Sequence, residues 1–404
     1  MAQEKKYIPE LRFPEFINDE GWTVKVLDDI LFVNSGKDYK HLGLGDIPVY
    51  GTGGYMLSVD DKLSEIDAVG IGRKGTIDKP QYLKAPFWTV DTLFFLTNKE
   101  GYDIQFLYYL SQTIDWKKYS EQGVLPSLSK STIESIKVVI PNNLNDSIAE
   151  QKKVAHCLSS LDDCIEATNH KLRLLKEYKK GLMQYLFPTK GKMAPVLRFP
   201  EFQNTEEWSI KTLGTIGETY GGLSGKGAED FGTGKIYVTY KQVFDSSEID
   251  PAACLQVRIE DNEKQNTLQY GDVLVTMSSE TPEEIGYTAV VTNKNIPECY
   301  LNSFCFIYRL FDNESIDVEF LIYLFSSEAY RTAVVQIAQG ITRFNISKIK
   351  FKEIELAIPE TKDEQRKIAT ILSSIDKQIA EYDKKIKAFE LDKKGLMQQL
   401  FPKL

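Results

Sequence analysis

Apolar residues recur at alternating spacings of four and three along two stretches of the chain. The first stretch carries Val154, Leu158, Leu161, Ile165, Leu172, Leu175, Leu182 and Leu186, and the second carries Ile368, Leu372, Ile375, Ile379, Tyr382, Ile386, Phe389, Leu396 and Leu400. This spacing is typical of a coiled coil. A proline follows each stretch, so the pattern predicts two helices of about 38 residues, each roughly 57 Å long.

Helices of this length must bury their apolar stripe, and the simplest partner for each is the other helix in an intramolecular antiparallel coiled coil. Two alternatives remain open at this stage: each helix packs on its own domain, or the helices form a homodimer. Lys179 and Lys393 interrupt the two stripes in the same register. Polar residues at such positions tend to fix the alignment of a coiled coil at some cost in stability.

The rest of the chain shows the shorter patterns of strands and turns. Strands are predicted around Ala68–Gly72, at Phe87, Trp88 and Val90, and at Leu93–Leu96, Ile236–Phe244, Asp272–Met277, Ala289–Thr292 and Phe304–Leu310, with a tight turn at Gly51–Gly54. Helices are predicted at Asp103–Lys118 and Val318–Gln336. We therefore expect two α+β lobes, each with a curved sheet and one or two helices.

The sequence contains an internal repeat, so that both halves carry the same series of segments. Leu11–Phe16 (LRFPEF) recurs as Leu197–Phe202, and Glu150–Ala155 (EQKKVA) recurs as Glu364–Ala369 (EQRKIA). The ends match too, because KGLMQYLFP at 180–188 returns as KGLMQQLFP at 394–402. Between these shared parts the middles of the two halves differ in length and sequence. A fixed frame around a divergent middle is typical of a scaffold that carries a variable recognition surface.

Composition places the chain among ordinary globular proteins. It has 404 residues, of which 42% are hydrophobic and 26% charged. No apolar run approaches the roughly 18 to 20 residues that span a membrane, and the first residues resemble no secretory signal. The five cysteines are odd in number and form no CxxC pair. We expect reduced thiols, a cytoplasmic location and no membrane partner.

The net charge of −9 and the pI near 5.2 argue against nucleic-acid binding if taken alone. Phosphate contacts supply much of the affinity for DNA, so an acidic DNA-binding protein needs local basic loops or a basic partner.

Residues suited to catalysis are missing. Gly221–Gly227 (GGLSGKG) is one residue short of a phosphate-binding loop and lacks the Ser or Thr after the lysine. The three histidines, His41, His156 and His170, form no metal-binding pattern. Glu360–Lys362 could be forced into a nuclease pattern but is better explained as a helix start. We expect no catalytic residue and no bound metal.

The repeated segments carry a family resemblance that covers essentially the whole chain. The sequence resembles the specificity subunit of type I restriction-modification systems. The signs are LRFPEF at the start of each half, Leu128–Lys130 (LSK) and Ile346–Lys348 (ISK) before a hydrophobic strand, then Ile-Pro, then EQKK or EQRK, then Leu-Ser-Ser-Leu/Ile-Asp. The order of these parts, repeated twice, is the most specific feature.

The resemblance implies two target-recognition domains that each recognise one half of a split site in double-stranded DNA. It implies two helical regions that form the antiparallel coiled coil and set the gap between the half-sites. It also implies two modification subunits that methylate adenine with S-adenosylmethionine, and restriction subunits that use ATP and Mg. No cofactor would be bound by this chain, which would be a non-catalytic DNA-binding subunit.

These expectations divide the chain into four segments: recognition domain 1 at 1–145, helix 1 at 146–190, recognition domain 2 at 191–360, and helix 2 at 361–404. The family carries no base-contacting positions over to this chain, so candidates rest on side-chain chemistry alone. They are Lys37, Arg73, Lys74, Lys79 and Gln81 in the first domain, and Lys226, Lys235, Tyr240, Lys241, Gln242, Ser279, Arg343 and Asn345 in the second. The alternative function is a coiled-coil scaffold that joins two protein-binding lobes.

Overall fold

The structure is a computed structural model that describes residues 6–121, 123–142, 147–312 and 314–404. The chain divides into two compact units: unit 1 is Met1–His170 with Tyr382–Leu404, and unit 2 is Lys171–Glu381. Both divisions fall inside the long helices that the coiled-coil pattern predicts. The four-segment division stays a prediction, and its boundary between residues 145 and 146 lies outside the described residues.

Unit 1 begins with short strands and ends with two helical segments. Its elements before the first long helix are β1 (Thr23–Val26), α1 (Leu27–Ile30), β2 (Leu31–Ser35), β3 (Leu44–Gly51), β4 (Gly54–Val59), β5 (Ala68–Gly72), β6 (Gln81–Leu83), β7 (Trp88–Thr89), β8 (Leu93–Asn98), α2 (Ile104–Gln112), α3 (Lys130–Ser135) and β9 (Lys137–Ile140). The long helix α4 (Ser147–Leu186) follows.

Unit 2 repeats this order with two additional helices and two additional strands. Its elements are β10 (Ser209–Thr212), α5 (Leu213–Ile216), β11 (Gly217–Gly221), β12 (Phe231–Val238), α6 (Tyr240–Asp245), β13 (Leu255–Val257), β14 (Val273–Thr276), β15 (Ser278–Ser279), β16 (Thr288–Val290), β17 (Cys299–Leu301), β18 (Cys305–Leu310), α7 (Val318–Leu324), α8 (Glu328–Gln336), β19 (Phe344–Asn345), α9 (Lys348–Lys352), β20 (Glu355–Ile358) and the long helix α10 (Lys362–Leu400).

The sheets of the two units share one topology. A four-stranded sheet has the order β2-β8-β5-β6 in unit 1 and β11-β18-β14-β16 in unit 2. A three-stranded sheet has the order β4-β3-β7 or β13-β12-β17, and a strand pair joins β1 to β9 or β10 to β20. The predicted α+β class and internal repeat are confirmed. The single curved sheet expected for each lobe is wrong, because the strands separate into several small sheets.

Most predicted elements appear near their predicted positions, including β5, β8, β14, β18 and the turn after Gly51. Three predictions need correction. The strand predicted at Ile236–Phe244 stops at Val238, because the Thr239 hydroxyl accepts the backbone N–H of Gln242 and starts α6. The helix predicted at Asp103–Lys118 ends at Gln112. The helix predicted at Val318–Gln336 is two helices, since Ser327 caps the second one.

The repeated LRFPEF and EQ segments meet at a buried carboxylate. In unit 1, Arg12 donates two hydrogen bonds to Glu150, at 2.7 and 2.9 Å, and the Trp22 indole donates a third at 3.1 Å. The Glu150 side chain is 2% exposed and that of Arg12 is 6% exposed. A buried charge is tolerated when it is paired and fully hydrogen-bonded, which this arrangement provides.

Unit 2 has the same arrangement. Arg198 binds Glu364 at 2.8 and 2.7 Å, and Trp208 donates to the same carboxylate at 3.1 Å. The neighbouring glutamine of each EQ segment accepts a hydrogen bond at the start of another helix. Gln151 accepts the backbone N–H of Asp103 at 3.0 Å, and Gln365 accepts that of Asp317 at 2.7 Å.

The long helices run antiparallel in each unit. In unit 1, Leu400 and Phe401 at the end of α10 share an apolar cluster with Val154 and Leu158 near the start of α4. In unit 2, Leu186 at the end of α4 shares a cluster with Ile368, Ala369 and Leu372 near the start of α10. The intramolecular antiparallel pairing is therefore confirmed. Of the other residues in the two apolar stripes, Leu172, Ile375 and Ile386 are buried, and the half-buried ones are Leu161, Ile165, Leu175, Leu182, Ile379, Tyr382, Phe389 and Leu396.

Lys179 and Lys393, the lysines that interrupt the apolar stripes, each belong to a three-residue network. Lys393 binds both oxygens of Asp162, at 2.6 and 2.8 Å, and the hydroxyl of Tyr109 on α2 donates to the same carboxylate at 2.7 Å. Burial, together with the Asp162 carboxylate, raises the pKa of Tyr109, so the hydroxyl remains a donor. Each network joins a helix of the lobe to both long helices, which fixes their register.

In unit 2, Lys179 binds Asp376 at 2.5 Å and Tyr323 on α7 donates to Asp376 at 2.9 Å. The polar residues that interrupt the apolar stripes thus pair across the helices at matching places in the repeat.

We predict that Glu150→Ala lowers the free energy of unfolding of unit 1 by about 3 kcal/mol, because it leaves the Arg12 guanidinium buried without a counter-charge. Urea unfolding followed by tryptophan fluorescence measures this loss. The control is Glu65→Ala, which removes an exposed carboxylate from an ion pair with Lys62 and is expected to leave the midpoint unchanged. Equal midpoints for the two variants would contradict the role assigned to Glu150.

We also predict that Asp162→Ala loosens the end of α10, since Tyr109 and Lys393 lose their shared acceptor. The expected cost is about 1–2 kcal/mol, typical of hydrogen bonds to a charged group. Amide hydrogen exchange should become faster at 390–400. Asp163→Ala changes the adjacent, exposed aspartate and provides the matched control. No difference in exchange between these two variants would show that the network does not hold the helices together.

Candidate DNA interface

A basic patch lies where β5 of unit 1 ends. Arg73 and Lys74 leave the strand, are exposed, and are followed by a turn in which Gly75 has a φ of +82°, a value that favours glycine. The Arg73 guanidinium lies 5.7 Å from the centre of the Phe94 ring. Arg73 and Lys74 line a cavity together with Ser35 at the end of β2 and Lys130 at the start of α3. We call Ser35, Arg73, Lys74, Ser127 and Lys130 the unit 1 patch.

The corresponding surface of unit 2 is more mixed. Tyr240, Ser279, Glu284, Phe304 and Arg343 line one cavity. The Tyr240 hydroxyl donates to the backbone oxygen of Ser278 at 2.8 Å, and the Arg343 guanidinium lies 5.5 Å from the centre of the Phe304 ring. Asn345 is exposed and pairs with Ser278. We call Tyr240, Ser279, Glu284, Phe304, Arg343 and Asn345 the unit 2 patch.

The two patches occupy equivalent places in the repeated frame. In unit 1 the backbone N–H of Leu128 donates to Arg73 at 3.0 Å, and Lys74 pairs with Ser127.

In unit 2 the N–H of Ile346 donates to Met277 at 3.0 Å, and Ser278 pairs with Asn345. The end of β5 in unit 1 and the end of β14 in unit 2 therefore lie beside the LSK and ISK segments. The backbone is alike, and the side chains that it presents differ.

The other unit 1 candidates lie apart from this patch. Lys37 is exposed after β2, where its backbone oxygen accepts the Trp88 indole N–H at 2.9 Å. Lys79 is exposed in the loop before β6. Gln81 donates to the backbone oxygens of Gly51 and Thr52, so its amide fastens the β3–β4 turn.

Four unit 2 candidates already have partners. Lys226 is largely buried and binds Glu263, and Lys235 binds Glu298 at 2.5 Å. The hydrogen bonds from these lysines lower the pKa of both glutamates.

On α6, Lys241 binds Asp245, and Gln242 donates to the backbone oxygen of Asp250 at 2.7 Å. Lys235 and Lys241 remain exposed in spite of these partners.

Sequence reasoning passed over several patch residues and also Lys348, which is not among the residues of the unit 2 patch. Lys130 stands in the LSK segment and Lys348 in the ISK segment, and their presence in both copies was the signal that could have identified them. Lys348 lies beside Gly221 at the end of β11, as Lys130 lies near Ser35 at the end of β2. Phe304 and Glu284 carried no comparable signal, because they lie in the divergent middle.

Among the residues that the structure describes, no helix combines the length and apolar character needed to cross a membrane. In the same ranges, no three His, Cys, Asp or Glu side chains are grouped so that they could hold a metal ion.

Comparison with known proteins shows the family of the chain. The type I restriction modification DNA specificity domain matches residues 19–177 and again 205–389, one match for each half of the repeat. The MjaVIII specificity subunit of a type I restriction enzyme from Methanocaldococcus jannaschii is 27% identical over 314 residues, which cover 75% of this chain and 70% of that protein.

Solved structures show the same fold. The specificity subunit of the type I restriction-modification system of M. genitalium superposes with a TM-score of 0.67 at 17% identity, covering 98% of this chain and 100% of that one. A chain from work on complex assembly and conformational transition of the type I system has a TM-score of 0.51 at 16% identity, covering 95% and 98%.

The two domain matches cover most of the chain, and they coincide with the repeated frame that carries the patches. This chain therefore belongs to the type I restriction-modification DNA specificity family, as a non-catalytic specificity subunit that recognises target DNA.

Proposed function

We propose that the chain recognises a bipartite DNA site, with the unit 1 patch contacting one half and the unit 2 patch the other. The observation that carries this proposal is the equivalent placement of the two patches on a repeated backbone frame. A frame that appears twice with different side chains at the same place suits the recognition of two different short sequences separated by a gap.

The patch chemistries support different half-sites. In unit 1, Arg73 can donate two hydrogen bonds to a guanine, while Lys74 and Lys130 suit phosphate contacts. In unit 2, Asn345 can pair with an adenine, Arg343 with a guanine, and the Glu284 carboxylate can accept from the amino group of a cytosine. We expect the unit 1 half-site to depend more strongly on salt, because its patch has the larger positive charge.

Partner subunits complete the proposed function. With a net charge of −9, the chain needs other proteins to hold much of the phosphate backbone. We propose that two modification subunits and the restriction subunits dock on it. Methyl transfer from S-adenosylmethionine and DNA cleavage with ATP and Mg would take place on those subunits. The likeness to a chain taken from type I complex assembly supports this part of the proposal.

We predict that Arg73→Ala combined with Lys74→Ala weakens binding of the site by about tenfold or more, because a base contact and a phosphate contact are lost. The plot of log affinity against log salt should become shallower by about one for the lost phosphate contact. Fluorescence anisotropy on duplex DNA, with the modification subunits present, measures both quantities. Base changes in the unit 1 half-site should then have little further effect.

Two comparisons sharpen this experiment. Arg343→Ala should relax preference in the other half-site and leave the first half-site unaffected. Lys62→Ala with Lys84→Ala removes two exposed lysines of unit 1 outside the patch and should leave sequence preference unchanged. If Arg73→Ala with Lys74→Ala leaves affinity and sequence preference unchanged, the unit 1 patch is not part of the DNA interface.

A further inference from the structure

The loop that precedes the LSK segment in unit 1 carries two exposed aliphatic side chains at its tip. Val124 is fully exposed and Leu125 is 64% exposed. Single exposed apolar residues are common on protein surfaces and need no explanation. These two differ in their position, because they are adjacent and stand in a loop whose ends, Glu121 and Ser127, line the cavity of the unit 1 patch.

Backbone hydrogen bonds hold this loop at the end of β5. The N–H of Glu121 donates to the oxygen of Ser127 at 2.9 Å and closes the loop. The N–H of Gly75 donates to the oxygen of Pro126 at 2.9 Å, and Lys74 pairs with Ser127. The tip of the loop is therefore fixed next to the turn that carries the basic side chains of the patch.

Unit 2 contains the same loop with the same closure. The N–H of Gln339 donates to the oxygen of Asn345 at 3.0 Å, and the pairing of β15 with β19 holds this loop beside the end of β14. Arg343 stands two residues before Asn345, as Leu125 stands two residues before Ser127. Leu125 therefore occupies the backbone position of Arg343, which is the side chain proposed to contact a guanine.

The chemistry at this shared position differs between the two units. An arginine can donate two hydrogen bonds to a guanine, whereas a leucine side chain has no donor and no acceptor. The apolar group that bases present in the major groove is the C5 methyl of thymine. An aliphatic side chain that covers this methyl group removes apolar surface of both partners from water, and so favours thymine over the other bases.

We propose that Val124 and Leu125 recognise a thymine in the unit 1 half-site by covering its methyl group. Leu125 makes the main contact because it holds the position of Arg343, and Val124 excludes water beside it. This inference rests on the proposed DNA interface and adds a second base to it. Arg73 selects a guanine and the loop tip selects a thymine, so the unit 1 half-site contains both.

Removal of one methyl group from the DNA tests this contact. Each thymine of the unit 1 half-site is replaced in turn by deoxyuridine, which lacks only the C5 methyl and keeps the same hydrogen-bonding groups. Fluorescence anisotropy with the full-length chain and its modification subunits measures the affinity for each duplex. We expect a loss of about fourfold at one thymine, the size typical of exposing one methyl group, and little change at the others.

Val124→Ala with Leu125→Ala gives the decisive comparison. This variant should bind the thymine duplex more weakly and should no longer distinguish thymine from deoxyuridine. Both side chains are exposed, so its melting temperature should equal that of the parent chain. The matched control is Leu44→Ala with Ile66→Ala, which removes two exposed aliphatic side chains elsewhere in unit 1 and should keep the full difference between the duplexes.

A second variant transfers the unit 2 chemistry to unit 1. The N–H of Arg73 donates to the oxygen of Thr92 at 2.8 Å, as that of Met277 donates to Phe304 at 2.9 Å. Thr92 therefore stands where unit 2 has Phe304, the ring that Arg343 lies against. Thr92→Phe with Leu125→Arg supplies both the arginine and its ring. Methyladenine mapping should then show guanine in place of the thymine at that position, with the other half-site unchanged.

Three results would overturn the inference. Equal affinity for all the deoxyuridine duplexes would show that no methyl group is recognised. A loss that persists in Val124→Ala with Leu125→Ala would place the methyl contact elsewhere. A unit 1 half-site without thymine on either strand would remove the proposed ligand.

These failures are distinguishable from failure of the proposed interface. If Arg73→Ala with Lys74→Ala still changes recognition of the unit 1 half-site in any of the three cases, the patch stands and only the loop contact is wrong. If the parent chain shows no sequence preference at all with its modification subunits present, both proposals are wrong.

Discussion

Each unit depends on one buried carboxylate. Glu150 in unit 1 accepts hydrogen bonds from Arg12 and Trp22, which lie far away in the sequence, and Glu364 does the same in unit 2. The contact joins the opening segment, the residue before the first strand and the start of a long helix. A charge with almost no solvent exposure is stable only if every partner is present, which explains why Arg, Trp and Glu recur together in both halves.

This constraint separates the frame from the surface it carries. The Arg–Glu–Trp contact, the glutamine that anchors α2 or α7, and the Tyr–Asp–Lys network all lie in the repeated segments. None of them depends on the divergent middles. Those middles can therefore change in length and in side chains while the end of β5 or β14 stays beside the LSK or ISK segment. Specificity can vary on such a frame without loss of the fold.

Sequence alone predicted the parts of the structure that follow from local or repeated patterns. The heptad spacing predicted α4 and α10, and the lysines that interrupt it proved to be the polar contacts across the helices. Two predictions, the strand at Ile236–Phe244 and the single helix at Val318–Gln336, were wrong because of local helix capping. Thr239 and Ser327 each cap a helix that begins inside the predicted element.

The candidate site was harder to predict because ion pairs form between residues that are distant in sequence. Lys226 with Glu263 and Lys235 with Glu298 resemble free basic residues until the fold brings their partners close. Arg73, Lys74 and Arg343 were chosen as candidates from side-chain chemistry alone, whereas the equivalent placement of the two patches in the repeat required the strand pairing.

The most direct test of the account is genome-wide mapping of methyladenine in cells that carry this chain with its modification subunit, compared with cells that lack only this chain. The account predicts chain-dependent methylation at a split motif, with two short defined halves around a gap of fixed length. A continuous motif would contradict the two-patch arrangement. No chain-dependent methylation, with the modification subunit shown to be active, would contradict DNA recognition itself and favour a scaffold that joins two protein-binding lobes.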